Sequence, residues 1–306
     1  MGKQNIHPTA IIEKGARIGS GVTVEPYAVV KAGVTLEDGV IIKSHAYIDG
    51  NTLIGEGTII YPSASIGTKT QDLKYRGEKT FVRIGKNCEI REFVTINSSC
   101  QEGSVVEVGD NCLIMAYCHI AHNCKVGNCV IMSNGASLAG HVIVEDFAII
   151  GGMTGVHQFV NIGCYAMVGG MSRISHDIPP YIICGGIPFK YGGINVVGLK
   201  RHKFPLDTRK ELAKAFRLVC RSPFRFDEAM IKCDEDLEKI PEIEHWIKFC
   251  RNSKRGLMGL QGAIKESFEE EQEDEEESGS HHAKEEREEE ISESGLNKEK
   301  ELFVLS

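Results

Sequence analysis

RIGSGVTVEPYAVVKAGVTLEDGVIIKSHA, residues 17–46, divides into sixes: RIGSGV, TVEPYA, VVKAGV, TLEDGV and IIKSHA. Each six carries an aliphatic residue in its second place and a small one, Val or Ala, four places later. Neither an alternating strand nor a helix of 3.6 residues per turn gives a period of six. The frame extends outward in both directions. Its aliphatic place falls on multiples of six from Ile6 to Ile174, and of these 29 positions only Asp72, Glu78 and Glu102 are not apolar. A parallel β-helix produces this rhythm. Each six supplies a short strand and a turn, three sixes close one coil, and coils stack about 4.8 Å apart through ladder hydrogen bonds. Crossovers between parallel strands are ordinarily right-handed, so the periodicity leaves the hand of this coil open.

Two stretches break the pattern, QDLKYRGEKTFV (71–82) and residues 97–107 around QEGSVV. Polar residues at interior places mean that the chain leaves the coil there, and both interruptions preserve the frame. Loops extruded from a rigid scaffold are where function tends to sit. Beyond Pro179-Pro180 the sixes stop. A Gly-rich passage leads to helical patterns at about 206–221, 226–239 and 242–252, which would cap the open end of the stack. The sequence thus divides into a β-helix over 1–190, a small helical domain over 191–260 and an acidic tail over 261–306. The tail, with EEEQEDEEESGSHHAKEEREEE, lacks the apolar content to fold and is expected to be disordered.

The chain has 306 residues, 42% of them hydrophobic, enough for a sizeable core. No run approaches the roughly 20 apolar residues of a membrane span, and MGKQNI has neither the apolar core of a signal peptide nor a myristoylation signal. A cytoplasmic location is expected. The eleven cysteines show no paired spacing and read as reduced thiols. Residues 266–301 hold 17 Asp/Glu against 4 Lys/Arg, so the formal net charge of −8 conceals a body at +5.

With 18 residues per coil, His122, the Gly140-His141 pair and the His157-Gln158 pair fall in one column, and His119 lies around the same corner. A zinc site drawn from Cys118, His119, His122 and Cys124 needs four converging ligands. Yet Cys112, Cys118 and Cys124 occupy the small interior place of successive sixes, facing away from an outward histidine. Isolated histidines are usually just hydrogen-bonded; several in one column suit acid–base chemistry better, an imidazole taking a proton from a hydroxyl nucleophile. The substrate does not follow from these residues.

HIAHNC (119–124), SLAGH (137–141), GVHQF (155–159), QDLKYRGE (71–78), MVGG (167–170), DIPPY (177–181) and GGINVVGLKR (192–201) together resemble the UDP-N-acetylglucosamine O-acyltransferases of lipid A synthesis. The resemblance covers about residues 5–255; the sixes alone give only the wider hexapeptide acyltransferase class. It implies a left-handed coil, a homotrimer, no metal or dissociable cofactor, and acyl transfer from acyl carrier protein to the glucosamine 3-hydroxyl. His122 matches the general base and the Gly140 amide the oxyanion donor. Asp72, Lys74, His119, His141, His157, Gln158, Asn195 and Arg201 match substrate-binding positions, and Gly170 matches a ruler position that admits a long acyl chain. Asn123 stands where an Asp often follows the base, and Val197 and His202 replace an acid and an arginine. Arg209, Lys210, Lys214, Arg217, Arg221 and Arg225 offer a docking face for an acidic carrier protein. Nucleic acid is not expected as a partner. A carbonic-anhydrase-like metal enzyme and a non-catalytic scaffold are the alternatives.

Overall fold

The computed structural model describes residues 3–260; the expected disorder of the acidic tail lies outside them. From Asn5 to Ile174 the chain forms short strands, mostly of two residues, in three parallel sheets. Strands pair at an offset of 18: Thr23 lies against both Asn5 and Ile41. The aliphatic residues on multiples of six point inward, and Ile42, Ile60, Ile90 and Ile114 are fully buried in one column. Burying such a side chain contributes about 1.5–3 kcal/mol, repeated at every six, which is why so plain a pattern can specify the coil.

Three residues after most of the inward aliphatic ones the backbone turns a corner with positive φ, as at Tyr117 (+63°), Phe147 (+60°) and Tyr165 (+55°). The left-handed conformation costs a non-glycine residue roughly 1–2 kcal/mol. Stacking between coils offsets part of it: Phe93 lies on Tyr117 at 5.0 Å and Phe147 on Tyr165 at 4.7 Å, contacts of about 0.5–1.5 kcal/mol each. Three corner columns result. The first holds Tyr27, Phe93, Tyr117, Met153 and Met171, the second Asn123, His141 and Phe159, the third Phe147, Tyr165 and Tyr181. One face of the prism, carrying the strand His119–Ile120, spans from the first corner to the second.

The pairing offset rises to 30 between Ile59 and Glu89 and to 24 between Glu89 and Leu113. Both exceed 18 by whole sixes, so the interior frame survives. The excursions are shorter than the sequence suggested. Strands Phe81–Ile84 and Val105–Val108 already belong to the coil, with Val82 and Val106 buried, because Val at the small interior place restores burial before the aliphatic place is reached. The excursions also brace each other: the Lys79 amide donates to Glu102 at 2.8 Å, and the Gly103 amide to the Lys79 carbonyl at 2.9 Å.

At the far end Ile182–Gly185 adds to one sheet beside Met167–Val168 and turns back antiparallel as Lys190–Ile194. Four helices follow: α1 Val196–Arg201, α2 Leu206–Cys220, α3 Phe226–Asp236 and α4 Pro241–Arg251. They do more than close the stack. His202 and Phe204 set their rings edge-on to Tyr165 at 5.1 and 5.0 Å, so the third corner is covered. Asp177, fully buried, accepts from the Asn161 amide at 2.6 Å and the Ser253 hydroxyl at 2.7 Å, tying the last coil to the chain after α4. Among the described residues no helix is long and apolar enough to cross a membrane.

His245 of α4 reaches Glu145 of the coil at 2.8 Å, and the Cys164 thiol and the Glu145 carboxylate together raise its pKa to about 10. The folded value lies above the roughly 6.5 of an unfolded chain, so the contact is at full strength below about pH 6.5 and is lost as the pH climbs through the folded value. We expect His245→Gln to flatten the fall in melting temperature between about pH 7 and pH 9.5. The effect is a few degrees at most, because the pair is partly solvated. Equal slopes for the two proteins would show that the contact contributes nothing.

Candidate active site

The second corner and the first excursion meet at His122. His119 projects outward from its strand between Thr95 and Ser137, its Nδ1 2.7 Å from the Thr95 hydroxyl. His122 follows in the next turn with a side chain only 16% exposed. Its Nδ1 lies 3.1 Å from the Asn123 Oδ1. An amide oxygen can only accept, so in the tautomer that makes this bond Nδ1 carries the proton and Nε2 keeps its lone pair. Nε2 faces the Asp72 carboxylate, brought back over the coil by the excursion, at 3.8 Å. Burial alone would push the Asp72 carboxyl up; the hydrogen bond from the Lys74 amide, and the positive charge that His122 carries whenever it is protonated, hold it below its usual value.

One coil further on, Gly140 lies against the His122 ring. A Cβ placed on it would come within 2.3 Å of Cε1 and 2.4 Å of Nε2, so only glycine leaves the imidazole where it is. The Gly140 N–H donates to no atom among the described residues. The next amide, that of His141, donates to the His122 carbonyl at 3.0 Å. The His141 ring meets His122 edge-on at 5.2 Å and stacks on Phe159 at 4.6 Å. Burial and then the neighbouring His122 lower the pKa of both His119 and His141, so both are neutral at pH 7. The cleft thus offers an imidazole nitrogen with a lone pair, a main-chain N–H bound to nothing among the described residues and two neutral histidines, a set suited to proton transfer from a hydroxyl and to holding a developing oxyanion.

One member of the site escapes sequence reasoning. The frame assigns Cys100, at the end of TINSSC, to a small interior place. The second excursion has begun by then, with the Ser98 amide donating to the Thr68 carbonyl at 2.7 Å. The thiol therefore turns to the site, donating to the Asn123 Oδ1 at 3.0 Å with its sulfur 3.5 Å from the His122 Nδ1. Burial and the Asp72 carboxylate push its pKa up to about 11. The only signal in the sequence was its position just inside an interruption of the frame.

Other expected residues lie apart. Lys74 is exposed, its amide bound to Asp72 at 2.8 Å. Gln158 stands one coil beyond Gly140, and the His157 Nδ1 turns to the Gln158 carbonyl at 3.3 Å. Asn195 caps α1, its Oδ1 accepting from the Gly198 amide at 3.0 Å and its Nδ2 donating to the Tyr165 carbonyl at 2.9 Å. It and the exposed Arg201 therefore sit by the third corner, away from His122. Gly170 belongs to the first corner, beside Met171, at the opposite edge of the face that carries His119. The zinc set weighed from the sequence does not converge. The Cys118 and Cys124 thiols are buried inside the coil on the carbonyls of Ser133 and Ala139, at 3.1 and 3.0 Å.

Comparisons place this architecture among known proteins. The family model for bacterial transferase hexapeptides matches residues 15–50 and 106–140, and the model described as Udp N-acetylglucosamine O-acyltransferase, domain 2, matches 177–258. An acyl-[acyl-carrier-protein]--UDP-N-acetylglucosamine O-acyltransferase of Chlamydia abortus is 58% identical over 267 residues, covering 87% of this chain and 95% of the relative; that of Chlamydia caviae is equally similar. Among solved structures, a UDP-N-acetylglucosamine acyltransferase from Bacteroides fragilis superposes with a TM-score of 0.80 at 38% identity, over 82% of this chain and 99% of that one. The Francisella novicida enzyme gives 0.81 at 32% identity, over 84% and 95%. Likeness of this degree, over most of the chain, leaves one conclusion: the chain belongs to the UDP-N-acetylglucosamine O-acyltransferase family.

Proposed function

We propose that the protein moves a long (3-hydroxy)acyl chain from acyl carrier protein to the 3-hydroxyl of UDP-N-acetylglucosamine, opening lipid A biosynthesis, with His122 as general base. The observation that carries this reading is the His122 Nε2, left with its lone pair by the Asn123 contact and lying against Gly140. The sugar hydroxyl attacks the thioester carbonyl as Nε2 takes its proton. The Gly140 N–H holds the oxyanion, and collapse breaks the C–S bond while His122 returns the proton to the departing thiol. Asp72, Lys74, His119 and His141 hold the sugar and phosphates, His157 and Gln158 extend the cleft, and Gly170 leaves room for the far end of the chain. Mass spectrometry of the product formed from UDP-N-acetylglucosamine and a mixture of acyl-carrier donors tests both reaction and chain length. A ten-carbon donor greatly outpacing a fourteen-carbon one would rule out the long chain.

The site is completed by a second subunit of a homotrimer. Two facts support this. The first corner exposes an apolar column in which Tyr117 is 64% and Met153 65% exposed, and Asn195 and Arg201 lie at a corner distant from the His122 of their own chain. A neighbouring copy can present them. Co-expressed His122→Ala and Arg201→Ala chains should then recover activity that neither has alone, because mixed trimers contain an intact site. No recovery in purified mixed trimers would mean that each site is built from one chain.

The docking face for carrier protein is narrower than the sequence implied. Lys210 pairs with Asp207 at 3.0 Å and Lys214 with Glu211 at 2.5 Å, while the Arg209 Nε donates to the Phe204 carbonyl at 3.2 Å. Arg217, Arg221 and Arg225 still present exposed charge. Reversing these three should raise KM for acyl carrier protein about ten-fold or more and leave KM for the nucleotide sugar alone. An unchanged carrier KM would remove the face from the account.

A further inference from the structure

Cys100, His122 and His141 each bring one ligand atom to a spot where all three lie within 4.8 Å of one another. The Cys100 Sγ and the His122 Nδ1 are 3.5 Å apart, close to the separation that two ligands keep around a tetrahedral zinc with Zn–S of about 2.3 Å and Zn–N of about 2.0–2.1 Å. One thiol and two imidazoles favour zinc over magnesium or calcium, which take oxygen ligands. A second grouping, Glu145, Cys164 and His245, is a poorer host. Its histidine is held protonated by the ion pair across to α4 and has no lone pair to give.

We propose that Cys100, His122 and His141 form an inhibitory site for a thiophilic divalent cation, Zn²⁺. The inhibition rests on the reading of His122 as base; the binding does not. As the Zn–S bond forms, the Cys100 proton passes to solvent. Coordination at the His122 Nδ1 moves that nitrogen's proton to Nε2, so the atom meant to accept the sugar hydroxyl's proton is filled. The metal disarms the base through its tautomer as well as by occupying the cleft.

Co²⁺, added to the purified full-length protein, is the spectroscopic probe. A near-ultraviolet thiolate-to-cobalt absorption band should appear, be abolished by added Zn²⁺, be missing from Cys100→Ala and persist in Cys164→Ala. His141→Ala should need about ten-fold more Co²⁺ or greater, and thermal melts establish that each variant is folded. Zn²⁺ should inhibit turnover reversibly on chelation, with Cys100→Ala, relative to its own uninhibited rate, about ten-fold less sensitive. A band that is absent from the wild type, survives in Cys100→Ala or vanishes only in Cys164→Ala overturns the proposal, as does equal zinc sensitivity. Should the transfer reaction itself not be found, the cobalt band still decides the metal site and only the functional reading fails.

Discussion

His122→Ala should fold, melt within about a degree or two of the wild type, and lose turnover by about 10²–10⁴-fold, the usual contribution of a positioned general base. The two halves of this expectation have separate physical grounds. His122 lies at a corner, outside the two interior columns to which Ile120 and Val126 belong, so its removal opens no cavity in the core, and substitutions away from the core usually fall within about 0.5 kcal/mol. Its chemistry has no substitute. His119 gives its Nδ1 to Thr95, and His141 meets His122 edge-on from a coil away. Because the ring acts on the proton in flight, kcat should bear the loss, with KM for the nucleotide sugar changed far less. Steady-state kinetics beside a thermal melt checks both halves. A variant that kept a tenth of wild-type turnover would exclude His122 as the base.

The coil was legible because its rule is local and repeats: an apolar residue at nearly every sixth place and a small residue four later leave one way to bury both, and the excursions announce themselves as acids at Asp72, Glu78 and Glu102. The column of His122, Gly140 and His141 followed from the same ruler, since a fixed number of residues per coil turns sequence spacing into distance. What the ruler could not give was direction at its own interruptions. Cys100 keeps the frame in sequence, yet its thiol faces the site because the backbone has left the wall two residues earlier. Asn195 shows a different gap. Its motif matched a substrate-binding position and did not announce that its side chain also caps α1 and donates to the Tyr165 carbonyl, a role that Asn before a short apolar run signals by itself. The helix that it caps was hidden by neighbouring glycines, two of which lie in the strand Lys190–Ile194.

Gly140→Ala should lower kcat by about 10²-fold while leaving the fold nearly as stable, and the reason separates it from ordinary glycine substitutions. The atoms that a new methyl would strike belong to the end of the His122 side chain, not to backbone, so the conflict is relieved by rotating the imidazole away. That rotation is cheap for folding and expensive for catalysis, because a displacement of about 1 Å in a reacting group can cost 10²-fold. Alanine retains the main-chain N–H, so loss of the oxyanion donor would not explain the fall. The double variant His122→Ala/Gly140→Ala discriminates. If Gly140 acts by keeping room for the base, the second substitution costs little once the ring is gone, and the two losses do not add. Fully additive losses would mean that residue 140 contributes by a route independent of His122, and the packing of ring against glycine would no longer explain why this corner carries no side chain.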